Sequence, residues 1–463
     1  MRYQSTRGQA PLLGFRDVTL AGLASDGGLY VPEAWPQFTP DQIAAMADLS
    51  YVETAVRVMQ PFVGDALTEA ELRELCTQAY GRFSHAAVTP LVQLDHRHWL
   101  LELFHGPTLA FKDVALQLLG LLFEKFLTGT TTHLTIVGAT SGDTGSAAID
   151  AVAGRHGIDI FMLHPKGRVS DVQRRQMTTV LAPNVHNIAI EGSFDDAQAL
   201  VKAMFNDPDF AGRFTLSAVN SINWARLMAQ IVYYFYAAVR LGAPQVAPVF
   251  AVPTGNFGDV FAGYAAARMG LPIRRLIVAT NVNDILHRAI ASGDYSAGDV
   301  TPTAAPSMDI QVSSNFERLL FDAGARDGAA LAEQMRGFEA SKAMRLTNAQ
   351  QQGAARWFAS DRIDAAEMAQ AMRWAADSDL ILDPHTAIGL AAARRADLGA
   401  PMVTLATAHP AKFRDAVERA TGTRPRMPNR IGDLFDREER YDVLPATFEA
   451  VSAHIAERAT PRG

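Results

Sequence analysis

Cysteine is almost absent from the sequence, and histidine is not placed for metal binding. The 463 residues include one cysteine, Cys76, so neither a disulfide framework nor a thiolate metal cluster can form within the chain. His96 and His98 alternate on a polar turn without a carboxylate at ligand spacing. The sequence therefore predicts no metal site, and it favours a reducing, cytoplasmic setting.

Long apolar runs and a surplus of basic residues are missing as well. No stretch reaches the length of about 18 apolar residues that a membrane span needs, and the N-terminal segment has no apolar core of signal-peptide length. The net charge is -7, without the basic stripe that phosphate-reading proteins carry. We therefore expect a protein that binds neither membranes nor nucleic acids.

The pattern that is present is typical of an α/β fold. The length predicts roughly two or three domains. Residues 1–95 mostly show helical periodicity, whereas short β-rich apolar runs alternate with helical segments farther along the chain. Such alternation indicates a parallel sheet covered on both faces. The polar, Ala-rich segment 294–306 predicts a mobile loop.

Lys112 is the unusual residue of the α/β part. It lies between an apolar run, 99–104, and a helical pattern, 114–126, with apolar residues on both sides. Burial of this kind lowers the pKa of a lysine and supplies the free amine that Schiff-base chemistry needs. The alternative is a lysine that extends from a helix end to solvent or pairs with Asp113, and this stretch by itself favours the alternative.

Two strand-turn-helix junctions contain turns rich in glycine and hydroxyl side chains, at 138–145 and 253–259. Glycine lets backbone N–H groups converge ahead of a helix N-terminus, where phosphate or carboxylate binds. A third junction, at 406–410, is polar but not rich in glycine. An ordinary connection between strand and helix is the alternative for each turn.

Two common phosphate-binding loops do not fit these turns. Neither turn has the GxGxxG spacing of dinucleotide-binding folds. A Walker A loop needs a lysine after its last glycine, whereas Ser146 follows Gly145 and Asp259 follows Gly258. A reactive Lys112 beside two anion-binding turns instead suits pyridoxal phosphate (PLP), which carries both an aldehyde and a phosphate. The turn that does not hold the phosphate would then be free to bind an amino-acid carboxylate.

The stretch 104–113 resembles the lysine signature of threonine synthases, in the longer branch found in enteric bacteria and fungi. Further segments resemble that family in the same order, so the resemblance spans nearly the whole chain. They are 5–8, 27–32, 139–145, 220–226, 255–259, 313–318 and 408–413.

The resemblance implies a fold type II PLP enzyme of the tryptophan-synthase-β kind. This is an α/β fold with two open lobes of parallel or mixed sheet and a mostly helical N-terminal region. The implied division is an N-terminal domain, 1–95, a large PLP-binding domain, 96–130 and 221–463, and a smaller domain, 131–220, that closes over the substrate.

The resemblance also implies roles for individual residues. Lys112 would be the catalytic residue and hold PLP covalently, and the hydroxyl of Thr407 would face the pyridine nitrogen. The residues implied to bind the cofactor phosphate are Gly255, Asn256, Phe257, Gly258 and Asp259. Those implied for the substrate are Thr140, Ser141, Asp143 and Thr144 on its carboxylate side, and Ser221 and Arg226 at its phosphate.

Arg226 also stands out without the resemblance. The polar turn 220–223 leads into a helical run, so Arg226 lies near a helix N-terminus, where a cation is disfavoured unless an anion is close. An arginine paired with a surface acid is the alternative.

The implied reaction converts O-phospho-L-homoserine and water to L-threonine and phosphate, the last step of threonine biosynthesis. It combines γ-elimination with β-addition of water, and we expect a cytoplasmic monomer. Two alternatives stay open. A related PLP-dependent lyase or dehydratase would act on phosphorylated or hydroxylated amino acids and release a keto acid. A non-enzymatic scaffold would have lost the lysine or the turns.

Overall fold

The N-terminal region combines helices with a small antiparallel sheet. The computed structural model describes residues 1–396 and 398–462. Capping boxes begin three of the helices, with the pairs Thr39 and Gln42, Ser50 and Glu53, and Thr68 and Glu71. The elements are β1 (Arg2–Ser5), β2 (Leu13–Gly14), α1 (Phe15–Ala21), β3 (Tyr30–Pro32), α2 (Pro40–Ala44), α3 (Tyr51–Val63) and α4 (Glu69–Tyr80).

The chain then enters the larger of two central sheets. Strands β4 (Leu91–Gln93) and β5 (His98–Glu102) pair antiparallel, and the turn after β5 leads to α5 (Lys112–Leu127). Almost every residue of α5 is buried. The predicted strand and helix on either side of Lys112 are therefore both present, and Lys112 is the first residue of its helix.

The next segment forms the smaller central sheet, whose strands are all parallel. Its strand 158–165 is buried along its whole length, because helices cover both faces of a parallel sheet. The elements are β6 (Leu134–Ala139), α6 (Asp143–Val152), β7 (Ile158–Pro165), α7 (Asp171–Thr178), β8 (Val185–Glu191), α8 (Phe194–Asn206), α9 (Pro208–Arg213) and β9 (Thr215–Ser217).

A long buried helix returns the chain to the larger sheet. No helix in the described part of the chain is both long and apolar enough to cross a membrane. The elements are α10 (Trp224–Arg240), β10 (Val249–Pro253), α11 (Gly258–Arg268), β11 (Arg275–Thr280), α12 (Ile285–Ser292), β12 (Asp294–Ser296), α13 (Phe316–Ala323), α14 (Gly328–Ser341), β13 (Ala343–Arg345), α15 (Asn348–Trp357), β14 (Phe358–Arg362), α16 (Ala365–Ala376), α17 (Pro384–Arg395), β15 (Met402–Ala406) and α18 (Arg414–Thr421).

The order of the larger sheet is β14-β11-β10-β15-β5-β4. Strands β10, β15 and β5 are therefore neighbours and run parallel, so their carboxyl ends lie side by side. Ligands of open α/β sheets bind outside such carboxyl ends. Here these ends lead into the turn 253–259, Thr407 and the turn before Lys112.

The last described segment returns to the smaller sheet. Strand β16 (Asp442–Pro445) pairs parallel with β8, and α19 (Phe448–Arg458) packs on α8, which gives the order β16-β8-β7-β6-β9. The sequence-based division assigned residues 442–458 to the large domain, whereas β16 pairs with a strand of the smaller sheet. The pairing with β8 is a long-range contact that no local pattern reveals. The domain bounds stay predictions.

Candidate active site

Backbone pairing fixes Lys112 relative to the end of strand β15. Ala110 forms an antiparallel bridge with Ala408. The N–H of Phe111 donates to the carbonyl of Thr407 at 2.8 Å. Lys112 and Thr407, predicted from distant parts of the sequence, are thus held at the same edge of the larger sheet.

The ammonium group of Lys112 is buried, since its side chain is 11% exposed. Burial lowers the pKa of Lys112; the charge of Asp143 raises it, and those of Arg226 and Lys412 lower it again. Oδ2 of Asp143 lies 3.7 Å from Nζ of Lys112. The prediction of a desolvated lysine is therefore confirmed.

Asp113 is not the partner of Lys112. Its two carboxylate oxygens accept hydrogen bonds from the N–H and the hydroxyl of Thr108, at 2.8 and 2.7 Å. Burial raises the pKa of Asp113 to about 6. A Cβ at Gly106 would lie 2.4 Å from Cβ of Asp113, so the turn needs glycine there. Asp113 thus stabilises the turn that presents Lys112.

The turn between β10 and α11 exposes a series of unused backbone donors. The N–H groups of Gly255, Asn256, Phe257 and Gly258 donate to no other residue that the structure describes. Phe257 is left-handed, with φ of 60°, and Gly258 begins α11. A Cβ at Gly255 would lie 2.6 Å from the carbonyl oxygen of Ser307, which leaves no room for a side chain. These are the features of an anion-binding turn.

Asp259 belongs to this turn, but its carboxyl group points elsewhere. The hydroxyl groups of Tyr233 and Tyr234 both donate to its Oδ1. Its Oδ2 is buried without a partner. Burial raises the pKa of Asp259 to about 6. The role of Asp259 in binding a phosphate stays a prediction, and only its backbone faces the turn with the other donors.

The turn after β6 is organised by Thr140. Its hydroxyl oxygen accepts hydrogen bonds from the N–H groups of Gly142 and Gly145, both at 2.9 Å. The N–H groups of Asp143 and Thr144, at the start of α6, donate to no partner among residues 1–396 and 398–462. Two donors at a helix N-terminus are therefore available for an anion such as a carboxylate.

Asp143 is held by Lys412, a lysine to which the sequence reasoning gave no role. Nζ of Lys412 lies 3.0 Å from Oδ1 of Asp143, and Nε2 of Gln173 donates to the same oxygen at 2.8 Å. Burial would raise the pKa of Asp143, but the charges of Lys412 and Lys112 outweigh it and hold that pKa well below its usual range. The sequence signal that could have indicated a role for Lys412 is its position shortly after the end of strand β15.

Arg226 is a buried cation without a carboxylate partner in the described part of the chain. It is 2% exposed. One Nη donates to the carbonyl of Val219 at 2.9 Å, and Nε is buried without a partner. Burial lowers the pKa of Arg226 to about 10. The alternative of an arginine paired with a surface acid is therefore wrong, and the guanidinium has capacity left to bind an anion.

Ser221 lies against the turn 253–259. Its Oγ accepts from Nδ2 of Asn315 at 3.2 Å, and its Cβ lies 3.7 Å from the position of a Cβ built at Gly258. Asn315 in turn donates to the carbonyl of Asn256. The segment around Asn315 therefore braces the turn against Ser221.

Ser307 is another residue that the sequence reasoning missed. Its Oγ lies 3.5 Å from Oδ2 of Asp143, and its N–H donates to Nε2 of His385 at 3.3 Å. Asp309 anchors the loop, because its Oδ2 accepts the N–H of Thr303 at 2.7 Å. The sequence of 294–306 predicted only a loop, and its first three residues form strand β12 instead.

These residues fit PLP. A buried lysine with a lowered pKa suits an aldehyde, and a turn with four unused N–H groups and no room for a Cβ suits a phosphate. Thr407 is buried beside Lys112, and its hydroxyl has no partner in the part of the chain described. That hydroxyl is available to a ring nitrogen.

Three protein-family models match the chain. "Threonine synthase N terminus" matches residues 2–80, "Pyridoxal-phosphate dependent enzyme" matches 83–352, and "Threonine synthase, C-terminal" matches 386–455. The second confirms the prediction of PLP and of the α/β fold, because it covers the part that holds Lys112 and both turns. The first and third describe the two ends of the chain.

Similar full-length proteins are also found. A threonine synthase of Pseudomonas aeruginosa is 55% identical, over 99% of this chain and 98% of its own. The crystal structure of PLP-bound threonine synthase from Brucella melitensis is 53% identical, with a TM-score of 0.96 and 99% of both chains covered. The structure of threonine synthase from Escherichia coli is 30% identical, with a TM-score of 0.84 over 99% of this chain and 100% of that one.

Proposed function

Because the chain belongs to the threonine synthase family, it is a PLP-dependent lyase of threonine biosynthesis, and we propose that its substrate is O-phospho-L-homoserine. We further propose that Lys112 is the catalytic residue. Water and O-phospho-L-homoserine would give L-threonine and inorganic phosphate. The observation that carries the choice of substrate is the buried, unpaired guanidinium of Arg226.

The proposed cofactor site lies at the three neighbouring strand ends of the larger sheet. PLP supplies, when bound, an aldehyde for an amine and a conjugated ring that withdraws electrons from an amino acid. Lys112 would hold the aldehyde carbon. The N–H groups of Gly255, Asn256, Phe257, Gly258 and Asp259 would bind the phosphate, and Thr407 would donate its hydroxyl to the ring nitrogen.

The proposed substrate site lies between the two sheets. The N–H groups of Asp143 and Thr144, with Ser141 and the turn that Thr140 shapes, would bind the substrate carboxylate. The carboxylate of Asp143 itself binds Lys412 and lies near Lys112, and these two charges reduce its repulsion of a second anion.

Arg226 and Ser221 would bind the substrate phosphate. A dianion would supply the counter-charge that Arg226 lacks, and charge-assisted bonds of this kind are stronger than neutral ones. An amino acid without a phosphate would leave the guanidinium buried and unpaired, which is costly. The pair therefore favours a phosphorylated substrate.

Lys112 would move protons at the reacting carbons. Burial lowers the pKa of Lys112, which favours the free amine that a general base requires. The amine would take a proton from Cα and later act at Cβ, phosphate would leave from Cγ, and water would add at Cβ. Burial of Lys112 limits exchange of its proton with bulk solvent.

The test is product analysis with purified protein and O-phospho-L-homoserine. We expect phosphate and L-threonine in equal amounts, measured by a phosphate assay and by amino-acid chromatography. A keto acid in place of threonine would support the related lyase instead. No phosphate release from this substrate, with PLP present, would contradict the proposal.

Three further parts of this proposal concern the oligomeric state, the location and the partners of the enzyme. We expect it to act as a monomer, to be cytoplasmic and to have no nucleic-acid partner. The net charge of -7 supports the last point.

A further inference from the structure

Two buried lysines share one carboxylate at the centre of the site. Oδ1 of Asp143 lies 3.0 Å from Nζ of Lys412, and Oδ2 lies 3.7 Å from Nζ of Lys112. The first distance allows a charge-assisted hydrogen bond, whereas the second is beyond hydrogen-bond range. Asp143 is therefore bound to Lys412 and only near Lys112.

Lys412 uses all its hydrogen-bonding capacity in this arrangement. Its side chain is 0% exposed. Besides Asp143, its ammonium group donates to the carbonyl of Thr108 at 2.7 Å and to Oε1 of Gln176 at 2.9 Å. An ammonium group has three N–H donors, and the protein supplies one oxygen acceptor for each of them. Such a buried cation is costly unless every donor is used.

These bonds connect the two central sheets. Lys412 lies in the 3-10 turn Pro410–Phe413 after β15, and Thr108 lies in the turn after β5, so both belong to the larger sheet. Asp143 begins α6 and Gln176 lies on α7, both on the smaller sheet. Lys412 therefore fixes the distance between the turn that presents Lys112 and the helix that carries Asp143.

Removing the charge of Lys412 would leave Asp143 with one cation. Gln173 would still donate to Oδ1 of Asp143, but no cation would draw the carboxylate away from Lys112, and the gap of 3.7 Å to Lys112 could close. A close carboxylate favours the protonated form of a lysine, and loss of the Lys412 charge acts in the same direction. Both changes would reduce the free amine at Lys112.

We propose that Lys412 is a positioning residue that holds Asp143 between the two sheets and keeps it from pairing closely with Lys112. The inference rests on the proposed function of Lys112 as the reactive amine. Lys412 touches neither Lys112 nor the unused N–H donors of the turns, and it acts through Asp143.

The other charged groups that face Lys112 do not replace Lys412. Arg226 is a cation, but it donates to Val219 and does not bind Asp143. Asp259 is bound by Tyr233 and Tyr234. His385 is near Asp143, but its Nδ1 is 2.8 Å from Asp383.

The experiment measures the pKa of Lys112 in the full chain after PLP has been removed with hydroxylamine. Trinitrobenzenesulfonate labels free amines, and peptide mass analysis gives the labelling rate at Lys112 as a function of pH. The variants are Lys412→Met, Lys412→Gln and the double variant Asp143→Asn/Lys412→Met. The matched control is Lys125→Met, which removes an exposed lysine paired with Glu71 near the other end of α5.

We expect Lys412→Met to raise the pKa of Lys112 enough to leave about tenfold less free amine at a fixed pH. Lys412→Gln, which keeps a polar N–H donor without the charge, provides the same measurement if the methionine variant does not fold. The double variant should return the labelling profile to that of the wild type or to a lower pKa. Lys125→Met should leave the labelling profile of Lys112 unchanged.

A purely structural role would lower the melting temperature of both single variants without moving the pKa of Lys112. That result, or an upward shift that Asp143→Asn does not reverse, would overturn the inference. Borohydride reduction of the PLP-loaded wild type and peptide mapping test the proposed function separately. PLP attached to a lysine other than Lys112 would contradict the proposed function, whatever Lys412 does.

Discussion

The two glycine-rich turns share a local plan, yet the pKa values of their aspartates are shifted in opposite directions. Both turns follow a buried parallel strand, and both place an aspartate in the first turn of the next helix. Burial raises the pKa of Asp259 to about 6, whereas lysines hold the pKa of Asp143 far below its usual range. The helix start alone therefore does not decide the charge of an acid.

The neighbours explain the difference. Asp259 receives hydrogen bonds from two neutral tyrosines and has no cation in direct contact within the described residues. Asp143 contacts one lysine and lies near another. The acid beside the 253–259 turn is therefore easier to protonate, while the acid of the other turn stays ionised next to its lysines. Similar local sequences thus serve different purposes.

The largest expected effect comes from removing the amine of Lys112. Lys112→Ala should abolish turnover, because it removes the amine that would hold the aldehyde of PLP and move the protons. It should also remove the absorbance band expected in the range of roughly 410 to 425 nm for PLP held by a lysine. Spectra and a phosphate-release assay check both. Lys125→Ala, on the same helix, serves as the control, and an unchanged spectrum in Lys112→Ala would remove that residue from the cofactor site.

A smaller effect is expected from removing Arg226, the cation that binds neither Asp143 nor Asp259. Arg226→Ala should lower kcat/KM for O-phospho-L-homoserine by about 10- to 150-fold, through loss of about 1.5 to 3 kcal/mol of charge-assisted bonding. Arg226→Lys should recover only part, since it cannot bond in bidentate fashion.

The controls for Arg226 separate binding of phosphate from a general loss of structure. Any slow reaction with serine or threonine, which carry no phosphate, should survive in Arg226→Ala. Arg240→Ala, at the other end of α10, should leave kcat/KM unchanged. Equal losses on phosphorylated and unphosphorylated amino acids would assign Arg226 another role.

The smallest effect tests the charge difference between the aspartates directly. The folded-state pKa of Asp259 is about 6, above its ordinary value of 3.8. Asp259 therefore contributes stability that is fully present below about pH 4 and is lost as the pH rises through about 6. Relative to Asp259→Asn, the wild type should lose about 2 kcal/mol of unfolding free energy between pH 4 and pH 7.

Urea unfolding at several pH values measures this difference, and Asp143→Asn is the matched control. The pKa of Asp143 is lowered, so its contribution is lost only as the pH falls below its ordinary range, and its difference should be flat between pH 4 and pH 7. If the difference in unfolding free energy for Asp259→Asn were also constant between pH 4 and pH 7, both aspartates would be ionised over that range. The pKa of Asp259 would then not be raised.

Much of the fold and part of the site follow from local sequence. The apolar runs, the glycine-rich turns and the helical pattern after Lys112 each depend on residues close together in the chain, and each predicted element is present. The segments that resemble threonine synthases also led to the correct family, fold and cofactor. The individual roles of the site residues stay predictions.

The sequence alone determined which strands end in glycine-rich turns and that Lys112 is surrounded by apolar residues, because periodicity and glycine content are local properties. Only the tertiary structure decided that Lys412 binds Asp143, that tyrosines surround Asp259 and that β16 joins β8. Each of these depends on groups distant in sequence, 269 residues apart for Lys412 and Asp143. Burial and neighbouring charges set the protonation of a side chain, and only folding brings those neighbours together.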